Sequence, residues 1–398
     1  MTHISFRVWR LSLILLAAAC APVAPKPEPA ACPACPVCPA CPPVPVKPAP
    51  EAARYVPQSF DMLPGWSAAS LVPSLRAFLA GCGKSATFRS VCEAAAAIPP
   101  GDEAAARAFF EGLFTPYALV SSEGVETGLI TGYYEPIIEG SRTQTARYRF
   151  PIFGVPEDLV VVDLASTVPE TRNLRLRGRL DGRRLVPYAA RAEIDARGSA
   201  FPAPILAWAA DPVELFFLQI QGSGQVQLET GERTRVGYAD QNGHPFRSLG
   251  RYLIDRGEMT LENASMQGIK AWAAANPHKL QDALNANPSY VFFRELPITD
   301  GPIGALGVPL TAGYSLAVDR RFVPLAAPVY LATTYPLSTE PLERLMAAQD
   351  TGGAIRGVVR GDFYWGTGPE AGSMAGRMRQ QGRTWLLWPR SEPPPRGE

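Results

Sequence analysis

A glycine-crowded stretch near the C-terminus, residues 347–388, constrains this chain more than any other segment. It reads AAQDTGGAIRGVVRGDFYWGTGPEAGSMAGRMRQQGRTWLLW, with Asp350 before a Gly-Gly pair and Asp362 before three aromatic residues. Glycine lets backbone come close to a ligand, and aromatic neighbours shield a carboxyl group from water. A shielded carboxylic acid keeps its proton to higher pH, as a general acid must. The same pattern is also typical of β-turns with solvated aspartates.

The first twenty residues are typical of a bacterial export signal. Arg7 and Arg10 precede the apolar run LSLILLAAA, which is too short to span a bilayer comfortably. The run ends at Cys20 in a sequence similar to a lipobox, whose cysteine is acylated, although Ala17 stands where leucine is usual. We therefore predict a lipoprotein signal peptide at 1–20 with lipidation at Cys20, and plain cleavage after Ala19 is the alternative.

Residues 21–54 are rich in proline and alanine, which predicts an extended polyproline II tether. Four cysteines in it are spaced by three residues, as zinc ligands can be, and each is followed by proline: Cys32, Cys35, Cys38 and Cys41. The proline context favours a tether with optional disulfides over a metal site. Cys82 and Cys92 lie in the folded part, and an exported chain meets an oxidising compartment, so we predict that they form a disulfide.

Composition and periodicity describe the rest of the chain as globular. Hydrophobic residues make up 46% of it and charged residues 19%, and the net charge of +1 argues against broad capture of nucleic acid. Apolar periodicity predicts helices at 72–79, 101–113, 248–255, 265–275 and 278–287. Strands are predicted at 117–134 and 215–221, in a hairpin over 226–236, and in short segments beyond residue 296 that suggest a β-barrel.

Five further segments add a specific resemblance. In chain order they are TGYYEP at 131–136, FFLQIQGSGQVQL at 216–228, VGYADQNGHPFRSLGRYLIDRG at 236–257, NPSYVFFRE at 287–295 and GVPLTAGYSLAVDRRFVPLAAPVYL at 307–331. Together with the C-terminal stretch they resemble the membrane-bound lytic murein transglycosylase A family, which carries a C-terminal three-aspartate (3D) domain. The resemblance covers roughly residues 60–389.

This resemblance implies a mainly β fold with some α-helix. Both ends of the chain, at 55–134 and 298–390, would form a double-psi β-barrel, and 135–297 would be an inserted, smaller β-rich domain. A glycan strand would lie in the groove between the two domains, since ligand sites favour domain interfaces. We expect a disordered tail at 391–398.

The family reaction cleaves the β-1,4 bond between N-acetylmuramic acid and N-acetylglucosamine without water. The C6 hydroxyl of the muramic residue attacks its own C1, so one carboxyl group can serve as acid and then as base. Motif matching assigns that role to Asp362, with Asp350 and Asp319 as supporting residues. For Asp319, a β-turn in which it accepts backbone amides is an equal alternative. Glu370 is expected to cap a helix, and a catalytic role for it is the lesser alternative.

Candidate substrate-binding residues come from two of the matched segments. Aromatic rings pack well on sugar faces, and polar residues alternating along a predicted strand face suit acetamido and hydroxyl groups. These candidates are Tyr133, Tyr134, Gln219, Gln221 and Ser223. Core packing is the alternative for the tyrosines, and a solvated strand face is the alternative for the others. Relatives often have threonine where this chain has Glu135, which leaves the contact there open.

The sequence requires no cofactor, and its three scattered histidines give no metal cluster or histidine-based triad. We expect a monomer that faces the periplasm from the outer membrane through its lipid anchor. Its partner would be peptidoglycan glycan strands, with cell-wall synthesis proteins as possible further partners, and no nucleic acid. The rival functions are a non-catalytic peptidoglycan-binding lipoprotein and a hydrolysing muramidase that uses Glu370 or Asp350 to activate water.

Overall fold

The computed structural model describes residues 52–168, 171, 174, 176–393 and 395. The expected signal peptide, most of the tether, and Cys20, Cys32, Cys35, Cys38 and Cys41 lie outside these residues. The first strand starts at Ala53, two residues before the expected domain boundary. In the described part of the chain, no helix combines the length and apolarity that crossing a membrane needs.

The described residues form a mainly β structure with short helices. The strands are β1 Ala53–Pro57, β2 Phe114–Ser121, β3 Gly128–Glu135, β4 Ile137–Ser141, β5 Phe150–Phe153, β6 Val160–Val162, β7 Leu176–Asp181, β8 Arg184–Pro187, β9 Ile205–Ala209, β10 Ser223–Leu228, β11 Arg233–Gln241, β12 Val291–Leu296, β13 Ser315–Val318, β14 Pro328–Thr334, β15 Pro341–Asp350, β16 Gly361–Thr367 and β17 Arg379–Pro389. The helices are α1 Val72–Gly81, α2 Arg89–Ala96, α3 Glu103–Leu113, α4 Arg191–Arg197, α5 Pro212–Gln221, α6 Leu249–Asp255, α7 Met266–Ala275, α8 Leu280–Asn285 and α9 Pro369–Ala375.

The largest sheet combines strands from both ends of the chain. Its order is β1-β2-β17-β14-β15-β13-β16-β3, and β17 also pairs with β3. Six strands, β17, β14, β15, β13, β16 and β3, therefore form a closed ring of pairings, which leaves no free edge within the ring. Leu316, Phe363 and Trp385 are fully buried in the core cluster that this sheet shares with α1 to α3.

The middle of the chain forms a second sheet, of order β12-β11-β10-β4-β9-β5, and a three-stranded sheet of β6, β7 and β8. The chain passes from the large sheet into the second sheet at Pro136, between β3 and β4. It returns in the segment after Leu296, which leads to β13. Helices α5 to α8 contribute a separate apolar cluster that includes Phe216, Ile269 and Trp272.

The strand predicted at 215–221 is wrong, because this segment is helix α5. Asp211 caps the helix by accepting hydrogen bonds from the backbone N–H of Val213, at 2.7 Å, and of Glu214. Pro212 occupies the first turn, and Gly222 ends the helix with a positive φ of 78°. These are ordinary helix signals. The apolar run LFFLQI masks these signals, since a short helix that is buried on several sides shows no helical periodicity in its apolar residues.

The other predicted helices are present with small differences at their ends. Helix α3 begins after Asp102, whose side chain accepts from the backbone N–H of Ala105 at 2.9 Å. Helix α9 begins at Pro369 and places Glu370 in its first turn, but Gly368 is the N-cap residue and no side chain caps the helix, so the expected cap by Glu370 is absent. Helices α2 and α4 were not predicted. In α2 only Val91 and Ala95 are buried, which is too few apolar side chains for a visible period.

Candidate active site

Asp362 lies near the start of β16, where it is flanked by two other strands of the ring. Its register partners are Thr131 on the parallel strand β3 and Ala317 on the antiparallel strand β13. Phe363, the next residue, is fully buried in the core, and the alternation of a strand turns Asp362 to the opposite face. The carboxyl group is therefore held on a rigid element and is partly withdrawn from water.

A short hydrogen-bond chain orients the Asp362 carboxyl group. Thr131 Oγ1 donates to Asp362 Oδ1 at 2.5 Å, and Arg360 Nη2 donates to Thr131 Oγ1 at 2.8 Å. Because the threonine oxygen already accepts from Arg360, its one proton is directed to Asp362. The sequence alone does not mark Thr131 or Arg360 as site residues, although Thr131 opens the TGYYEP motif and Arg360 stands two positions before Asp362.

The surroundings raise the pKa of Asp362 to about 6. Burial is the largest cause, since it disfavours the charged form. The hydrogen bond from Thr131 and the charge of Arg360 lower the pKa, and the neighbouring charge of Asp350 raises it. The result is a carboxyl group that holds its proton in mildly acidic water and releases it near neutrality, which suits a group that must act as acid and base.

Asp350 ends β15 and is fixed by the backbone. Its Oδ1 atom accepts from the N–H groups of Ala305 and Thr351, both at 2.9 Å. Burial raises the pKa of Asp350 above its ordinary value, although these two backbone hydrogen bonds act in the other direction. Asp350 is thus a second shielded carboxyl group that acts electrostatically on Asp362.

Tyr133 lies beside both carboxyl groups. Its ring contacts that of Tyr364, with centroids 5.2 Å apart. Its hydroxyl is buried and makes no well-formed hydrogen bond within the described residues, although Asp350 is close enough to affect its proton. Burial, followed by the charges of Asp350 and Asp362, raises the pKa of Tyr133 well above its ordinary value. A buried neutral hydroxyl without a partner is an available hydrogen-bond donor for a ligand.

Tyr134 faces the other side of β3, as the alternation of a strand requires. Its hydroxyl donates to Met266 Sδ at 2.9 Å, and its ring lies against Gly372 of α9. It lines a cavity between α9 and helices α5 to α7 that does not include Asp362 or Asp350. Gly132, between the two tyrosines, allows this packing, because a Cβ there would lie 2.6 Å from Trp365 Nε1. The structure thus brings only Tyr133 to the aspartates.

Asp319 is buried in the turn after β13. Its carboxylate forms an ion pair with Arg321, whose Nη2 lies 2.5 Å from Oδ2, and accepts from the backbone N–H of Gly357 at 2.9 Å and of Arg321 at 3.2 Å. Burial acts to raise the pKa of Asp319, but the hydrogen bonds from Arg321 and Gly357 outweigh it, so the pKa lies below its ordinary value. This geometry corresponds to the turn alternative, with an ionised aspartate that joins two loops.

The polar residues expected along one strand face do not share a face, because two of them lie on helix α5. Gln219 is buried, and its Oε1 accepts from Arg191 Nη2 at 2.6 Å. Gln221 Oε1 accepts from the backbone N–H of Tyr134 at 3.1 Å, so it joins α5 to β3. Ser223 opens β10 opposite Gly237. Gln219 is therefore occupied within the protein, and Gln221 supports the strand that carries Tyr133.

Among the described residues, no group of three or more His, Cys, Asp or Glu side chains is arranged to hold a metal ion. Cys82 and Cys92 are joined in a disulfide, with Cα atoms 5.8 Å apart.

Glu370 is exposed on α9.

Comparisons with known proteins agree on one family. Residues 129–294 match the model of the MltA specific insert domain, and residues 314–388 match that of the 3D domain. The chain is 36% identical over 265 residues to membrane-bound lytic murein transglycosylase A of Escherichia coli (strain K12). That alignment covers 65% of this chain and 64% of the relative.

Solved structures extend the likeness over most of the described chain. The crystal structure of MltA from Neisseria gonorrhoeae is 41% identical, with a TM-score of 0.76, and the match covers 86% of this chain and 94% of that one. E. coli MltA with bound chitohexaose is 28% identical, with a TM-score of 0.63, over 81% of this chain and 90% of that one.

Proposed function

Because this chain belongs to the MltA family, whose insert and 3D domains it carries, we propose that it is a peptidoglycan lytic transglycosylase. It would cleave the β-1,4 bond between N-acetylmuramic acid and N-acetylglucosamine and form a 1,6-anhydromuramoyl product. We also infer that the closed ring of six strands is the double-psi β-barrel expected from the resemblance.

The observation that carries the proposal is the carboxyl group of Asp362, whose pKa of about 6 allows both protonation states at periplasmic pH. In the first step the protonated carboxyl donates to the glycosidic oxygen, and the bond from C1 to that oxygen breaks. In the second step the carboxylate takes the proton from the C6 hydroxyl, whose oxygen bonds to C1. The substrate supplies its own nucleophile, so no second carboxylate or water is needed.

The hydrogen-bond chain from Arg360 through Thr131 assigns different tasks to the two oxygens of Asp362. Oδ1 accepts from Thr131, so the transferable proton belongs on Oδ2. Asp350 supports Asp362 by its charge, which raises the proton affinity of Asp362. Tyr133, whose buried hydroxyl makes no well-formed hydrogen bond within the described residues, would donate it to an oxygen of the bound sugar.

The proposed substrate is the glycan strand of peptidoglycan. A chitohexaose complex is known for the E. coli relative, and chitohexaose has the same β-1,4 backbone of N-acetylated sugars. We propose that the strand enters beside Tyr133 and Asp362, where the large sheet meets the inserted one. Asp319 and Gln219 are excluded from direct contact in this proposal. Both side chains are buried, the Asp319 carboxylate is held by Arg321 and Gly357, and Gln219 Oε1 accepts from Arg191.

We further propose that the enzyme is a monomer anchored to the outer membrane by a lipid on Cys20 and faces the periplasm. The relative from E. coli is named as membrane-bound. The predicted tether at 21–54 would place the catalytic residues at a distance from the membrane surface, towards the cell wall.

Mass spectrometry of sacculi digested with the purified protein tests the activity and separates it from its rivals. We expect muropeptides with 1,6-anhydromuramoyl ends. Reducing ends would instead identify a hydrolase, in which Asp350 or Glu370 activates water. Binding of sacculi without release of any product would identify a peptidoglycan-binding protein.

A further inference from the structure

A buried ion pair lies at the point where the chain crosses between the two large sheets. Glu135, the last residue of β3, and Arg235 on β11 are both almost completely inaccessible to solvent. Arg235 Nε donates to Glu135 Oε1 at 2.7 Å, and Arg235 Nη2 donates to Glu135 Oε2 at 3.1 Å. Removing one residue of such a pair would leave the other as an uncompensated buried charge.

Additional hydrogen bonds to this pair come from both sheets. Glu135 Oε2 also accepts from Gln225 Nε2 on β10 at 3.0 Å and from Thr367 Oγ1 on β16 at 2.8 Å. The backbone N–H of Gly368 donates to the Glu135 carbonyl at 2.9 Å. One carboxylate therefore connects the end of β3, the end of β16 and two strands of the inserted sheet.

The arginine holds the returning chain at the same place. Arg235 Nη1 donates to the carbonyl oxygens of Thr299 and Gly301, both at 3.0 Å, and to Thr299 Oγ1 at 2.8 Å. Thr299 and Gly301 lie in the segment that leads from β12 back to β13. The outgoing crossing at Glu135 and the returning crossing at Thr299 are thus joined through one guanidinium group.

A short path connects this cluster with the candidate active site. Thr367 Oγ1 lies 3.3 Å from the hydroxyl of Tyr364, whose ring contacts that of Tyr133. Tyr133 also precedes Glu135 by two residues on β3, so both side chains leave the same face of the strand. A displacement of Glu135 would therefore reach Tyr133 through two routes.

We propose that Glu135 and Arg235, with Thr367, position the active site by locking both chain crossings and the end of β16 in one arrangement. This inference rests on the proposed function. A glycan strand that lies across the junction needs the acid on β16 and Tyr133 on β3 at fixed separations. A misplacement of about 1 Å can lower a rate by about 10²-fold. The ion pair is a positioning device and does not touch the reacting atoms.

The double variant Glu135→Leu/Arg235→Met separates positioning from stability. Replacing both partners of a buried pair with apolar residues of similar volume often leaves stability unchanged or improved. We expect a folded variant whose unfolding temperature falls, because Gln225, Thr367, Thr299 and Gly301 lose hydrogen-bond partners. We also expect kcat on sacculi to fall by about tenfold or more, because the two chain crossings and the end of β16 are no longer linked. A stably folded double variant with wild-type kcat would overturn the proposal.

Thr367→Val and Thr367→Ser form a milder pair for the case in which the double variant fails to fold. Valine keeps the shape of threonine but removes the hydroxyl, and serine keeps the hydroxyl. We expect kcat to fall several-fold for valine with little change in KM, and to stay near wild type for serine. Equal kcat values for valine, serine and wild type would overturn the proposal.

Arg177→Gln is the matched control. Arg177 forms a largely buried ion pair with Asp240, at 2.8 Å, which joins β7 to the same strand β11 but does not reach the large sheet. Its loss should lower the unfolding temperature without lowering kcat. An equal fall in kcat for Arg177→Gln would count against the proposal, because any damage to β11 would then be enough to lower kcat.

A second readout does not depend on turnover. Hydrogen exchange over β16 should be faster in Thr367→Val than in Thr367→Ser, and equal exchange would overturn the inference. If the wild-type protein releases no anhydromuropeptides, the proposed function is wrong, and the hydrogen-exchange comparison still tests the positioning role. Active wild type with equally active, equally protected variants defeats only the positioning role.

Discussion

At the scale of single residues, the proton of Asp362 is controlled by opposing influences. Burial and Asp350 favour the protonated form, and Thr131 and Arg360 favour the carboxylate. The balance places the pKa at about 6, so the protonated and the ionised form are both accessible near neutral pH. A single group that acts first as acid and then as base needs both forms. Asp319 shows the opposite balance, since its partners keep it ionised.

Asp362→Asn should abolish turnover and retain binding. Asparagine keeps the shape of the side chain but cannot donate and recover a proton, and loss of general acid–base catalysis costs about 10²–10⁴ in rate. In the proposed mechanism Asp362 serves both steps, so we expect the upper end of this range. Turnover of sacculi is the measurement, with a pull-down on sacculi as the binding control.

The matched variants Asp350→Asn and Asp319→Asn should lose less activity, through local charge and geometry. Retention of more than about a tenth of wild-type turnover by Asp362→Asn would contradict the assignment. An inactive Asp350→Asn that still binds sacculi would move the acid to Asp350.

Thr131→Val should shift the pH dependence of the reaction upwards. The hydrogen bond from Thr131 lowers the pKa of Asp362, so its removal raises that pKa and extends the protonated form to higher pH. The alkaline limb of the pH–rate profile should therefore move to higher pH, whereas Thr131→Ser should leave it in place. A limb that stays fixed or moves to lower pH in the valine variant would rule out this role for Thr131.

Asp362→Asn should also change stability in a pH-dependent way. The folded pKa of about 6 exceeds the ordinary value of 3.8, so the buried carboxylate destabilises the fold at high pH, and this cost disappears as pH falls through that window. Thermal unfolding should show the variant as more stable than wild type near pH 7.5, with a smaller difference near pH 4.

Asp319→Asn supplies the control of opposite sign. The folded pKa of Asp319 is depressed, so its carboxylate adds stability above its unfolded pKa and loses that contribution in acid. We expect this variant to be less stable than wild type near pH 7.5. A destabilised Asp362→Asn at that pH would show that burial does not dominate at Asp362.

At the scale of elements, β3 organises the molecule, because its alternating side chains meet different partners on its two faces. Thr131 donates a hydrogen bond to Asp362, Tyr133 lies beside Asp350 and Asp362, and Glu135 pairs with Arg235. Gly132 and Tyr134 pack against α9 and Met266 on the other face. A shift of one residue in register would exchange the two sets, so this pairing is strongly specified.

The helical layer is closed by the disulfide between Cys82, which follows α1, and Cys92 on α2. We expect the Cys82→Ser/Cys92→Ser variant to lose about 2–3 kcal/mol of unfolding free energy, because the bridge closes a short loop in the unfolded chain. Its products from sacculi should be unchanged, since neither cysteine contacts the candidate active site. Chemical denaturation measures the loss, and two free thiols in non-reducing peptide maps of periplasmic wild type would refute the bridge.

At the scale of the whole molecule, the chain leaves the ring of strands once and returns once, and both crossings meet at the pair of Glu135 and Arg235. Such an arrangement allows a large insertion without separating β3, which carries Thr131 and Tyr133, from β16, which carries Asp362. The proposed lipid anchor at Cys20 lies in a different part of the chain, so we expect membrane attachment to be separable from the chemistry.

Cys20→Ala should release the protein from the membrane fraction and leave its product pattern on sacculi unchanged. The expected anchor is a lipid on Cys20, and the tether at 21–54 contributes no catalytic group. Fractionation followed by mass spectrometry of digested sacculi checks both parts. A variant that stays with membranes after a high-salt wash would place the anchor elsewhere.

The sequence by itself determined what depends on local chemistry. Caps and apolar periodicity identified α1, α3, α6 and α7 within one or two residues at most ends, and the matched motifs identified the family before any contact was known. Tertiary structure decided what depends on distant partners. Thr131 meets Asp362 across 231 positions, and Glu135 meets Arg235 across 100. It also decided that the apolar run in α5 is helical, and that Tyr133 rather than Tyr134 lies beside Asp362 and Asp350. The physical reason is that strand pairing and burial set these contacts, and neither is encoded within a few residues of the side chains concerned.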